Sequence, residues 1–136
     1  MQKYIRLKTT KRNELIDITG EVNRIVSESA IKTGLVNVYV QGATAGIMIQ
    51  ENWDESVQND VITLLKNLIP SGIWEHDNQD NNADSHLKAG IVGPGENIPV
   101  IDGKLGLSTW QNVFLCEFDG PRSERNIVVT LIETAK

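Results

Sequence analysis

Residues 98–118 read IPVIDGKLGLSTWQNVFLCEF. Two apolar runs, residues 98–101 and 105–107, flank Asp102-Gly103. That dipeptide tolerates the positive φ that both central positions of a type I′ hairpin turn require. Residues 109–111 and 113–118 follow as further extended segments, with no helical pattern between them. Parallel neighbours need a crossover of about a dozen residues or more, usually a helix, so strands spaced this closely pair antiparallel. The second half of the chain therefore predicts an antiparallel sheet and argues against a doubly wound parallel one.

Outward from that stretch, residues 3–9 alternate with Ile5 and Leu7 on one face, and residues 14–18 continue as a short extended piece. Thr19 reads as the N-cap of a first helix. Its buried stripe is Val22, Ile25, Val26 and Ala30, and Gly34 follows as the C′ stop. Residues 35–40 and 47–51 read as strands. Asp54 or Ser56 caps a second helix with a stripe of Val57, Val61, Leu64, Leu65 and Leu68, which Pro70 ends. Ala83, Leu87 and Ile91 recur every four residues and predict a short helix over residues 82–90. Residues 126–133 alternate as the last strand. The expected fold is a single α+β domain over residues 1–136: an antiparallel β-sandwich, jelly-roll-like, with two or three flanking helices.

The 136 residues are 40% hydrophobic and 23% charged, with a formal net charge of −5. That balance suits a globular domain and disfavours nucleic acid as a partner. No apolar run approaches the roughly 18 residues that cross a bilayer, so no membrane partner is expected. The charged N-terminal residues lack the apolar core of a signal peptide, and the expected location is cytoplasmic. The one cysteine, Cys116, lies in an apolar run and reads as a core side chain.

Both histidines, His76 and His86, fall ten residues apart in one polar stretch with Asp77, Asp80, Asn82, Asp84 and Lys88. These side-chain types ligate divalent ions or trade protons near neutral pH. A solvated Asn/Asp-rich loop has the same composition, and the spacing H-x9-H is no metal signature in itself. Strand parity puts Glu51 on the face of Ile47 and Ile49, where a carboxylate must be paired, be a ligand, or sit at the sheet's mouth. A divalent ion, zinc or magnesium, could use His76, His86 and a carboxylate such as Glu51 or Asp80, leaving a fourth position open. Lys88 and Arg122 have the charge to neutralise a phosphate, and Arg122 could do so bidentately. Thr109 and Gln111 flank Trp110 where polar groups interrupt a strand.

These pieces carry a resemblance. The chain resembles, over essentially its whole length, the YjbQ family of small proteins, some of whose members are described as secondary thiamine-phosphate synthases. The matching stretches are Asp17-Ile18-Thr19, Gly34-Leu35-Val36 and Thr44-Ala45-Gly46-Ile47 leading to Glu51-Asn52. The most specific are Asn82-Ala83-x-Ser85-His86-Leu87-Lys88-Ala89, Gly93-Pro94, Ile98-Pro99-Val100-x-Asp102-Gly103-x-Leu105, Thr109-Trp110-Gln111 and Asp119-Gly120-Pro121-Arg122. The resemblance implies an antiparallel sandwich with flanking helices, assembled as a homotrimer. It also implies a small phosphorylated metabolite as the ligand.

On that footing Glu51, His76 and His86 are the expected catalytic residues. Asn82, Lys88, Thr109, Gln111 and Arg122 would contact substrate and phosphate, and His76, His86, Glu51 and Asp80 would hold the metal. Joining a thiazole phosphate to a pyrimidine carbon expels pyrophosphate, so such a site needs positive charge at the leaving group and a dry pocket. One stretch departs from the pattern. Many members carry His-Thr-Thr or His-Thr-Ser where this chain has Gly42-Ala43-Thr44, a glycine-rich version that a subset shares. The same residues would also serve a metal-assisted phosphoester hydrolase, or a trimer that binds a small anionic metabolite without turnover.

Overall fold

The computed structural model describes residues 1–135. Among them are eight strands: β1 (Gln2–Leu7), β2 (Glu14–Asp17), β3 (Thr33–Val40), β4 (Ala45–Gln50), β5 (Gly95–Ile101), β6 (Lys104–Leu105), β7 (Asn112–Glu117) and β8 (Arg125–Glu133). Three α-helices join them: α1 (Thr19–Ser29), α2 (Glu55–Leu68) and α3 (Ala83–Val92). A five-stranded sheet runs β1-β8-β3-β5-β6 and a three-stranded one β2-β7-β4, and every pairing is antiparallel. The fold is α+β.

Strand alternation explains the layering. On β7, Val113 and Leu115 point into a core shared with Val36, Val38, Ile127 and Val129 of the larger sheet and with Val22 and Val26 of α1. Phe114 and Cys116 point the other way and, with Phe118, pack against Leu65 of α2 and Ala89 of α3. Because β7 is covered on both faces, its sequence is a continuous apolar run and not an alternating one. Phe114 and Phe118 are closed to solvent, and each stabilises the fold by roughly 1.5–3 kcal/mol.

The hairpin between β5 and β6 forms as expected, with φ of 51° at Asp102 and 79° at Gly103. Four local expectations change. Thr19 is inside α1; its hydroxyl accepts from the Val113 N–H, and Asp17 Oδ1 takes the Thr19 N–H instead. α1 stops at Ala30, which adopts a left-handed φ of 61°, so Gly34 is no cap. Gly34 belongs to β3, where any Cβ would collide with the Ile132 carbonyl of β8. On α2 only Leu65 of the predicted stripe is fully buried, and Leu64 and Leu68 face out. Residues 109–110 form a turn and do not extend the sheet.

α3 departs most from its periodicity. Leu87 and Ile91 are exposed, and the buried face carries Asp84, Ser85 and Lys88. Of the four-residue repeat, Ala83 is buried, whereas Leu87 and Ile91 lie on the outward side. Polar partners on neighbouring elements, together with the small apolar contacts of Ala83 and Ala89, orient this helix.

Candidate functional site

α3 brings the polar stretch together. A short 3-10 turn, Glu75–Asn78, precedes it, and Asp77 fastens the two. Asp77 Oδ2 accepts from the Trp74 N–H at 3.1 Å and Oδ1 from the Ala83 N–H at 3.0 Å. Those two backbone donors, Trp74 first, hold its carboxyl below the usual aspartate range. The clamp sets His76 against His86, with ring centroids 4.9 Å apart and planes at 88°. Asp80 Oδ2 lies 3.6 Å from His76 Nε2. His86 also lines an open cleft of about 510 Å³, walled by Tyr39, Gln41, Gly42 and Ala43 on one side and by Ala89 and Gly90 on the other.

Behind α3 lies a connected ion network. Asp84 Oδ2 accepts from Lys88 Nζ at 3.2 Å and Oδ1 from Arg12 Nη2 at 3.2 Å. Asp119 takes Arg122 Nη2 at 2.9 Å, Asn82 Nδ2 at 2.9 Å, and Arg12 Nη1 at 3.6 Å. Ser85, fully buried, accepts from Arg12 and donates to the Phe118 carbonyl. Asp84 and Lys88 are each only 2% exposed, so removing Lys88 would leave Asp84 buried with the half-exposed Arg12 as its one remaining charged partner.

A second buried pair ties the sheets together. Glu117 ends β7 and Arg125 begins β8, both on the inward parity of their strands. Arg125 Nε donates to Glu117 Oε1 at 2.9 Å and Nη2 donates to Oε2, a bidentate fork. Thr9 Oγ1 and the Asp119 N–H donate to the same carboxylate at 2.8 and 2.9 Å. Burial pushes the Glu117 carboxyl up. The Arg125 hydrogen bonds, the Asp119 and Thr9 donors and the Arg125 charge reverse this, leaving its pKa below the ordinary glutamate value.

The sequence-predicted residues divide into two groups. His76, His86, Asp80, Asn82, Lys88 and Arg122 gather around α3, although Lys88 is engaged by Asp84 and Arg122 by Asp119. Glu51, Thr109 and Gln111 sit at the opposite end of the small sheet. There Gln50 pairs with Asn112, whereas Ala45, beside the cleft, pairs with Glu117. Five strand residues separate those ends, roughly 17 Å at about 3.3 Å per residue. At the far end Gln111 Oε1 accepts the Ser108 N–H, and exposed Trp110 meets exposed Trp53 edge to face at 5.2 Å. No group of three or more His, Cys, Asp or Glu among the described residues is disposed to hold a metal ion. Within one chain the donors His76, His86, Asp80 and Glu51 therefore do not close into a metal centre.

Asp77 and Asp84 read from sequence only as members of the polar stretch and Arg125 only as part of a charged turn, and Glu117 is not singled out at all. For Glu117 and Arg125 the available signal was their chemistry, a carboxylate and an arginine on the inward parity of their strands; no local signal marked Asp77 or Asp84 for the contacts they make. The chain matches the family described as UPF0047 protein YjbQ-like over residues 3–134. A UPF0047 protein of Methanocaldococcus jannaschii is 45% identical over 130 residues, covering 96% of this chain and 92% of its own. The UPF0047 protein YugU of Bacillus subtilis is 40% identical over 126 residues, covering 90% and 93%. The crystal structure of a YbjQ-like protein of unknown function from Sulfolobus solfataricus superposes with a TM-score of 0.95 at 40% identity, covering 98% and 97% of the two chains.

Proposed function

The chain belongs to the YjbQ-like UPF0047 family, and from that membership we propose that it acts on a small phosphorylated metabolite as a transferase of the secondary thiamine-phosphate synthase kind. The observation that carries the reading is the His76–His86 pair, packed ring against ring where His86 enters the cleft. Two imidazoles in contact can donate a proton to a departing pyrophosphate and accept one back, a role worth about 10²–10⁴-fold in rate. Asp77 acts as a positioning residue, since it fixes the turn carrying His76 to the helix carrying His86. The proton transfers fall to the two imidazoles, since the donors of one chain do not close around an ion. Zinc or magnesium remains an addition that calorimetry tests.

The reading includes a homotrimer whose clefts lie between copies. That would give the Glu51, Thr109 and Gln111 end of one copy a role beside the histidines of another. It also includes a jelly-roll-like sandwich as the finer description of two sheets sharing one core, and a cytoplasmic location. The test is pyrophosphate release from a pyrimidine pyrophosphate and a thiazole phosphate. Wild type should turn over. His86→Ala should lose about 10²-fold or more in kcat/KM with an unchanged melting temperature, because a half-exposed imidazole contributes little packing. Absence of release by wild type would sink the synthase reading, and phosphate release from a monoester instead would point to the hydrolase.

A non-catalytic binding protein is the second reading, favoured by Gly42. That position, where many relatives carry histidine, offers no side chain to the cleft. Binding without turnover in the same assay would select it.

A further inference from the structure

Resting on the cleft beside His86 as the place where ligand binds, we propose that Nη1 of Arg125 holds the ligand's anionic group, a phosphate or a carboxylate. Arg125 is 6% exposed. A guanidinium has five N–H donors. Nε spends one on Glu117 Oε1, and Nη2 spends its two on Glu117 Oε2 and Thr44 Oγ1. Both N–H groups of Nη1 remain, without a hydrogen-bond partner among the described residues. Among the described residues the sealed side-chain atoms that lack partners are Asn82 Oδ1 and Asn126 Oδ1, so Nη1 is not sealed from solvent.

Gly42 adjoins this nitrogen. A Cβ there would sit 2.7 Å from Nη1, and Gly42 forms part of the cleft wall together with Ala43 and His86. A side chain at position 42 would cover or displace the nitrogen, so glycine is what leaves these donors bare. Glu117 already balances the guanidinium charge, so the subsite selects by hydrogen bonding to a fixed donor and little by net attraction. His86 can supply a second polar contact from another wall of the same cleft. The cations that sequence pointed to, Lys88 and Arg122, are instead engaged by Asp84 and Asp119.

The test titrates the protein with inorganic phosphate and, separately, with acetate. Proton–nitrogen NMR follows the backbone amides of Gly42 and Ala43 and the Nε–H of Arg125. Saturable shifts at all three are expected with at least one ion, and the tighter ion assigns the ligand class. Gly42→Ala should bind that ion about tenfold or more weakly. Gly42 holds no left-handed φ, but the added methyl presses on a guanidinium held by Glu117 and Thr44, so the variant should melt below wild type and its affinity is read at a temperature where it is folded. No saturable shift with either ion, or equal affinity in Gly42→Ala, overturns the proposal. Should the variant unfold, the response of Arg125 Nε–H in wild type decides alone. Ion binding without pyrophosphate release would keep this subsite and reject the synthase; release with an unchanged KM in Gly42→Ala would do the reverse.

Discussion

Glu117 shows how one carboxylate can be buried at a sheet end and stay ionised. Its four donors come from Arg125, Thr9 and the Asp119 backbone, so every lone pair that burial removes from water finds a partner. The cost of breaking such a pair exceeds its net worth, because the survivor keeps its desolvation penalty. Glu117→Gln should destabilise by about 3–5 kcal/mol at neutral pH. The pH dependence follows from the direction of the shift. The folded pKa lies below the ordinary glutamate value of 4.5, so the folded state favours the ionised form. Its stabilisation is complete above the unfolded pKa and is lost as pH falls through the lower folded one. Melting temperatures measured from pH 7 to strong acid should fall for wild type below about 4.5, and this part of the fall should be missing in Glu117→Gln. Parallel acid limbs for the two proteins would contradict the assignment. Cys116, by contrast, has no such partners, and burial alone pushes its thiol up to about 12.

At the scale of an element, α3 is the instructive case. Its sequence repeats apolar residues every four positions, and hydrophobicity alone would turn Leu87 and Ile91 inward. The helix instead buries Asp84, Ser85 and Lys88, because Arg12, Asn13 and the Phe118 carbonyl supply partners from outside the helix. Satisfied ion pairs and hydrogen bonds thus override a periodic signal. Two variants separate the alternatives. Lys88→Ala should cost about 3–5 kcal/mol, since Asp84 is left buried with one partner fewer. Leu87→Ala should change stability by no more than about 0.5 kcal/mol, as exposed substitutions do. Urea denaturation of both gives the comparison, and the opposite ranking would mean that the helix is turned the other way in solution.

For the whole molecule, the outer face of the five-stranded sheet stays partly apolar. Tyr4, Leu35, Tyr39, Ile101 and Ile132 are all exposed there, and Leu64, Leu68, Leu87 and Ile91 add exposed apolar groups on the helices. Monomers rarely leave large contiguous apolar patches uncovered. The proposed homotrimer would cover part of this surface and join the two groups of polar residues that one chain keeps at opposite ends of the small sheet. Light scattering should return about three times the chain mass of 15.1 kDa. A mass of one chain at micromolar concentration would remove the shared cleft from the proposed function.

Sequence by itself determined what depends on short-range pattern. Alternation in residues 126–133 located one strand because side chains change face at every residue, and the short continuous apolar run of residues 113–118 located another. Asp102-Gly103 located the hairpin because few residues tolerate positive φ twice in succession. The motif around His86 marked the helix that carries the candidate site. Only the tertiary structure decided which face of that helix is buried, that Glu51 lies at the far end of its sheet from the histidines, and that Glu117 meets Arg125 beside Gly42. These depend on which strands pair and how the sheets stack. Partners such as Thr9 and Glu117 stand 108 residues apart, a separation over which no local periodicity carries information.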